Sequence, residues 1–310
     1  MSAREEISKK IKTHTLELGF DGCGISRAEK LDKETSLLQQ WINAGYQADM
    51  KYMSVHYKKR IDIRELVPGA ESVISVILNY NSLETGKVPE APRISKYAWG
   101  RDYHKVMKKK LKTLLEYIDD TFGPVNGRYF VDSAPVLDRA WAARSGLGWI
   151  GKNTNLISRD FGSFIFIGEL IIDKKLAYDQ PINDYCGDCT KCIEACPTGA
   201  IVADKVIDSQ KCISYQTIEN KGDISAHMKG KMQNWIFGCD TCQDVCPWNQ
   251  KGIQHRVPDF NPHPDLLSLS RKEWFELDDK RFNELFSGTP VMRAKYEGLK
   301  RNLEFLKRRG

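Results

Sequence analysis

No stretch of this sequence is long and apolar enough to cross a bilayer as a helix. Its longest apolar run, Phe164 to Ile172, is broken by Gly168 and Glu169 and falls far short of the roughly 20 residues a spanning helix needs. The N-terminus opens on Arg4, Glu5, Glu6, Lys9 and Lys10 with no apolar run among them, so no secretory signal is expected. Charge of one sign is also scarce: 47 basic residues stand against 41 acidic ones, leaving a net charge of +6. Glycine and proline are too few for a collagen-like or low-complexity chain, and 41% apolar with 28% charged residues is ordinary globular usage. A soluble cytoplasmic protein is expected. At 310 residues it exceeds the roughly 100–200 residues of one typical domain. A reducing compartment argues against structural disulfides and turns clustered cysteines toward metal or redox chemistry.

Cysteine is present and unevenly placed: eight of nine lie between Cys186 and Cys246. Cys186, Cys189, Cys192 and Cys196-Pro197 follow the C-x2-C-x2-C-x3-C-P spacing of bacterial ferredoxins, whose fourth thiolate serves the neighbouring cluster. Cys239, Cys242 and Cys246-Pro247 repeat the ending with one member fewer, and Cys212 supplies the missing thiolate. The crossover assigns Cys186, Cys189, Cys192 and Cys246 to one 4Fe-4S cluster and Cys196, Cys212, Cys239 and Cys242 to a second. A pair of four-cysteine zinc sites is the competing reading, but zinc does not need the third cysteine followed by x3-Cys-Pro. Cys23, alone between Gly22 and Gly24, reads as a small packed residue.

The remaining pattern predicts an α+β, α/β-like N-terminal domain with a central sheet over residues 1–180. A ferredoxin-like two-cluster module is expected over 181–255 and a short basic helical tail over 256–310. Within the first, helices are expected over 4–19, 33–44, 101–121 and 135–144, with strands near Ile25, over 73–78, 128–131 and 161–172. Gly146-Leu-Gly148-Trp-Ile-Gly151 matches the dinucleotide fingerprint G-x-G-x-x-G. A helix precedes it and a strand follows, the reverse of the context that fingerprint requires, so a sharp turn is the better reading. Basic residues gather over 51–60, over 105–112 and near the C-terminus at Lys295, Lys300, Arg301, Lys307, Arg308 and Arg309. Such grouping attracts phosphate backbones.

Two clusters imply single-electron traffic without naming its destination. Several segments resemble the epoxyqueuosine reductase family: Lys96-Tyr-Ala-Trp-Gly-Arg-Asp-Tyr-His104, Val131-Asp-Ser-Ala-Pro-Val-Leu-Asp-Arg-Ala140, Gly148-Trp-Ile-Gly-Lys-Asn153, Lys211-Cys-Ile-Ser214 and Gly238-Cys-Asp-Thr-Cys242. The resemblance runs from the first helix to about Arg301. It implies a cobalamin-dependent enzyme, related to reductive dehalogenases, that reduces epoxyqueuosine to queuosine at the wobble position of tRNA, the last step of queuosine biosynthesis. By residue matching it places cobalamin contacts at Arg60, Tyr97, Asp132, Leu156, Ile167, Ser214 and Asp240, several through backbone atoms. No D-x-H-x-x-G cobalt-ligand motif is present, and the family holds the corrin without a histidine below cobalt. The resemblance further implies contact with the tRNA anticodon stem-loop, a flavodoxin or ferredoxin as electron donor, and a monomer. Many members continue into a helical-repeat domain, whereas this sequence stops after one candidate repeat helix, 293–307. A small-molecule dehalogenase-like reductase and a pure electron carrier are the rival classes. Asp132 carries two readings: a cap for the helix expected at 135, or the acid that protonates the departing oxygen.

Overall fold

The computed structural model describes residues 2–84, 88–250 and 252–307. Strands β1 (Gly22–Arg27), β2 (Ser72–Asn79), β3 (Gly127–Phe130) and β4 (Ile165–Ile172) form one antiparallel sheet in the order β1-β2-β4-β3. The central strands β2 and β4 are buried along their whole length. Both faces are covered, which explains why their sequences run apolar instead of alternating.

Helices α1 (Ala3–Glu17) and α2 (Tyr103–Phe122) pack on one face. Ile11 of α1 and Val106, Met107, Leu111, Leu114 and Ile118 of α2 form a core with Ile74, Val76 and Leu78 of β2. The shorter helix α3 (Asp138–Arg144) covers the other face, laying Trp141 against Val73 and Ile171 and Ala142 against Ile77 and Ile167. Pro135 does not open this helix as expected. Residues 131–136 make tight turns instead, with Ser133 N donating to Val131 O at 2.6 Å and Val136 N to Ala134 O at 2.8 Å, because proline keeps its predecessor out of helical backbone. β4 likewise begins four residues later than the expected 161. The glycine-rich segment is a turn from α3 into a small hairpin, Trp149–Ile150 with Leu156–Ile157. A Cβ at Gly148 would stand 2.3 Å from Ile157 O, so the glycine serves backbone approach.

The helical tail from 256 onward packs into the body of the protein. Trp274, Phe282 and Phe286, with Leu299, Leu303 and Leu306 of helix α4 (Lys295–Lys307), share one core with Trp99, Trp235 and Phe237. The expected boundary near 255 therefore cuts through a common core, its large apolar residues being too widely spaced in sequence to announce burial. Asn302, fully buried on α4, donates to Thr217 O at 2.9 Å and Ile236 O at 2.7 Å. Arg301 donates to the carbonyls of Gln216, Asn220 and Gly222, so this part of the basic C-terminal group is occupied internally. Arg308 and Arg309 lie outside the described residues. Among the described residues no helix is long and apolar enough to cross a membrane.

Candidate active site

A cleft opens where the sheet domain meets the cysteine-rich segment. Its wider part, about 700 Å³, is lined by Tyr52, Tyr97, His104, Asp132, Cys212 and Ser214 among others. Its narrower part, about 200 Å³, runs between Tyr97, Asp132, Asp138, Leu156, Phe166 and Ile167. Tyr97, Tyr103 and Asp132 line both. Five of the seven expected ring-contact residues thus share one cleft: Tyr97, Asp132, Leu156, Ile167 and Ser214. The lining mixes tyrosines and apolar side chains (Tyr52, Tyr97, Tyr103, Leu156, Phe166, Ile167) with polar groups such as Asp132, Asp138 and His104.

Asp132 follows β3 with φ at +53°, a left-handed conformation that aspartate tolerates better than most residues. It does not cap α3, whose N-cap is Leu137, so the capping reading is set aside. Its Oδ2 accepts the Tyr103 hydroxyl at 2.6 Å and lies 3.9 Å from His104 Nε2. His104 is held from behind: Asp102, the N-cap of α2, meets its Nδ1 at 2.7 Å and accepts its backbone N–H at 3.0 Å. Burial would raise the Asp102 carboxyl, but these hydrogen bonds hold it below the usual carboxylate range. Burial and the Asp132 charge push the Tyr103 phenol well up, so Tyr103 stays a neutral donor to Asp132.

Arg60 and Asp240 stand behind the cleft wall. Arg60 is 7% exposed, donates to Tyr52 O at 3.1 Å, and keeps a buried Nε without a partner. Asp240 is 1% exposed. It accepts the Ser95 hydroxyl, and the Lys96 backbone N–H at 2.8 Å, and burial raises its pKa to about 6. These bonds fix the turn that carries Tyr97. Sequence reading assigned no role to Tyr103, His104 or Asp138, although the first two lie inside the Lys96–His104 segment it singled out.

The thiols fall into two neighbourhoods. Burial raises Cys192, and the charges of Cys246, Cys186 and Cys189 add to it. Cys246 is raised by burial and by Cys186 and Cys189. In the other group burial raises Cys242, with Cys239 and Cys212 adding, while Cys212 feels Cys196. Among the described residues no three His, Cys, Asp or Glu side chains converge closely enough for a single metal ion. Zinc needs its thiolates on one centre at about 2.3 Å, whereas a cube spreads its four ligands over four irons, so the donor set and its spacing fit 4Fe-4S clusters. Donors also face the sulfurs: Trp149 Nε1 at 3.4 Å from Cys186 Sγ, and Ala200 N at 3.3 Å from Cys196 Sγ. Burial opposes, yet hydrogen bonds from Thr198, Ala200 and Ile201 leave the Cys196 thiol lowered. Cys23 lies outside both groups; burial pushes its thiol to about 12 despite a hydrogen bond with Thr15.

Comparison with known proteins agrees with this geometry. The family model described as "Epoxyqueuosine reductase QueG, DUF1730" matches residues 60–133, and the "4Fe-4S double cluster binding domain" matches residues 185–249. The epoxyqueuosine reductase of Cellulophaga algicola is 53% identical over 99% of this chain and 100% of its own length. That of Synechocystis is 45% identical over 88% and 95%. Among solved structures, an epoxyqueuosine reductase with an epoxyqueuosine-modified tRNA-Tyr stem loop superposes with TM-score 0.87 at 28% identity, covering 98% of this chain and 81% of that one. The Streptococcus thermophilus enzyme gives TM-score 0.87 at 29% identity over 97% and 80%. With such identity along nearly the whole of both chains, and with the thiols and the cleft built on one scaffold, the chain belongs to the epoxyqueuosine reductase family.

Proposed function

We propose that this protein reduces epoxyqueuosine to queuosine in the anticodon loop of tRNA, in the cytoplasm, using two 4Fe-4S clusters and cobalamin. The observation that carries the reading is the cleft itself: an acid on a left-handed turn faces an apolar, tyrosine-walled slot, and the ligand of a cluster, Cys212, forms part of the same wall. Leu156, Ile167 and Tyr97 would hold the face of a large flat ring, and Ser214 its polar edge. The unpartnered Arg60 Nε lies behind that wall. Cobalamin bound there would supply a strongly reducing cobalt centre.

The chain's own residues do the rest. Asp132 holds the proton for the departing oxygen, Tyr103 orients its carboxyl, and His104, pinned through Nδ1 by Asp102, presents Nε2 toward it. Electrons from a flavodoxin or ferredoxin enter at the cluster of Cys186, Cys189, Cys192 and Cys246, whose segment is largely exposed, and pass to the one beside Cys212. Two exposed basic groups lie close in sequence to the cleft-lining Tyr52 and His104. Lys51, Lys58 and Lys59 lie beside the exposed Tyr52, and Lys105 and Lys109 lie on α2. Such a surface suits phosphates together with a stacked base. The protein acts as a monomer in this reading.

The test is anaerobic reconstitution with iron, sulfide and cobalamin, incubation with epoxyqueuosine-containing tRNA and a chemical reductant, and mass analysis of the nucleosides. Conversion to queuosine is expected. Unchanged epoxyqueuosine with fully loaded protein overturns the reading.

A further inference from the structure

Beneath α3 the sheet carries polar side chains that nothing among the described residues satisfies. Glu169 stands on β4 directly opposite Ser75 of β2, it is fully buried, and neither carboxyl oxygen has a hydrogen-bond partner. Ser75 Oγ, Ser26 Oγ on β1 and Trp141 Nε1 on α3 are likewise buried and unpartnered. Strand alternation puts Glu169 on the α3 side. Ile165, Ile167 and Ile171 belong to the cores under that helix, while Phe166, Leu170 and Ile172 belong to the core under α1 and α2.

An ionised carboxylate in this setting would cost several kcal/mol, since no donor compensates its lost hydration. Burial holds Glu169 well above the usual carboxylate range, and the Asp138 and Asp132 charges push the same way. The residue is therefore a neutral acid. Its charged surroundings are few: Asp138 is raised by burial and by Asp132, with Arg139 and Arg60 opposing, and Arg144 of α3 is tied to Glu29 and Glu34. Asp138 lies three residues before Trp141 and four before Ala142, the two buried side chains of α3, so it shares their sheet-facing side. It also lines the narrow part of the cleft with Asp132. Three carboxyl groups thus run from the cleft mouth to the interior: Asp132, Asp138 and Glu169.

We propose that Glu169 stores a proton beneath α3 and delivers it through Asp138 to the cleft. The inference rests on the reading above that the cleft deoxygenates an epoxide. That reaction takes two electrons and two protons: both C–O bonds break, a C=C bond forms, and the oxygen leaves as water. The electrons arrive singly from the external donor through the clusters. Asp132 supplies one proton. A substrate seated over the mouth slows proton entry from bulk solvent, so where free protons are scarce the second comes from within, and Glu169 is reprotonated after the product leaves. Glu169 touches no reacting atom; it acts through Asp138.

Two measurements test this. Infrared spectra of wild-type protein, with and without carbon-13-labelled glutamate, are expected to show a protonated glutamic carboxyl band at pH 8 that shifts with the label. Single-turnover conversion of epoxyqueuosine-containing tRNA with a chemical reductant is then compared for wild type and Glu169→Gln between pH 6 and pH 8. The amide matches the side chain in size and cannot release a proton. The variant's rate is expected within ~2-fold of wild type at pH 6 and at least ~10-fold below it at pH 8, a modest share of a general-acid contribution. Absence of the band, or parallel pH profiles for the two proteins, overturns the proposal. Wild type that makes no queuosine overturns the functional reading instead, and the infrared band still decides whether Glu169 holds a proton.

Discussion

Replacing Asp132 with asparagine separates its chemistry from its geometry. Asparagine accepts the left-handed backbone at φ +53° as aspartate does, and its carbonyl can still take the Tyr103 hydroxyl now held at 2.6 Å. What changes is the strength of that hydrogen bond, now accepted by an amide oxygen, and with the side chain 51% exposed the loss is worth about 1 kcal/mol or less. A melting shift below ~4 °C follows. The amide cannot give up a proton, so the rate is expected to fall at least ~100-fold, equivalent to about 2.7 kcal/mol in the barrier. The assay is single-turnover reduction at saturating tRNA, under anaerobic conditions with a chemical reductant, after iron and cobalamin contents have been matched to wild type. A rate within ~3-fold of wild type would refute the assignment and leave the proton with another group. A loss of rate that tracks a loss of bound cobalamin would move Asp132 from proton transfer to ring binding.

Cys246→Ser is expected to lower iron from about eight to about four atoms per chain and to abolish the electron paramagnetic signal of the cluster containing Cys186. Loss of the cluster of Cys239 and Cys242 instead would reverse the crossover assignment. Asn302→Ala leaves the carbonyls of Thr217 and Ile236 buried without their donor, at about 2–4 kcal/mol. Thermal unfolding of the loaded protein should start ~3–6 °C lower, and an unchanged transition would show that the contact is dispensable. Because Glu169 is raised in the folded state, its stabilising contribution is complete below the unfolded carboxyl pKa of about 4.3 and is lost as pH climbs toward the folded value. Glu169→Gln should therefore match wild type in denaturant stability near pH 4 and exceed it increasingly at higher pH, by at most about 1.4 kcal/mol per pH unit. A gap that stays constant with pH would mean that Glu169 is ionised in the fold.

The cysteine pattern stands out in the sequence because ligand spacing is a local property: two residues between successive thiolates is a spacing the backbone itself sets. The central strand was legible for a similar reason, since the β-branched run Val73 to Leu78 behind Pro68-Gly69 reads as a buried strand. Strand order was not, because nothing in the runs of β2 and β4 says that they lie side by side. The cleft was half visible. The segments at 96–104 and 131–140 stood out, yet the approach of Tyr103 to Asp132 depends on α2 crossing the end of β3, a tertiary fact. Glu169 left a trace, an acid interrupting the longest apolar run, which reads equally as a surface break or as a buried charge until alternation along β4 decides. The packing of the C-terminal helical tail into a common core was not legible, because its burial rests on a few large side chains, Trp274, Phe282 and Phe286, spaced by polar residues.

The clasp made by Arg301 and Asn302 bears on how the protein comes into being. The carbonyls these residues hold, Gln216 O and Thr217 O, belong to the short helix that begins directly after Cys212. Cys212 and its partner thiols are complete in the growing polypeptide before α4 has been made, but the wall that carries Cys212 is not yet braced. At ribosomal speeds of roughly 5–20 residues per second, several seconds separate the two events, and the frame around Cys212 is braced only when α4 docks.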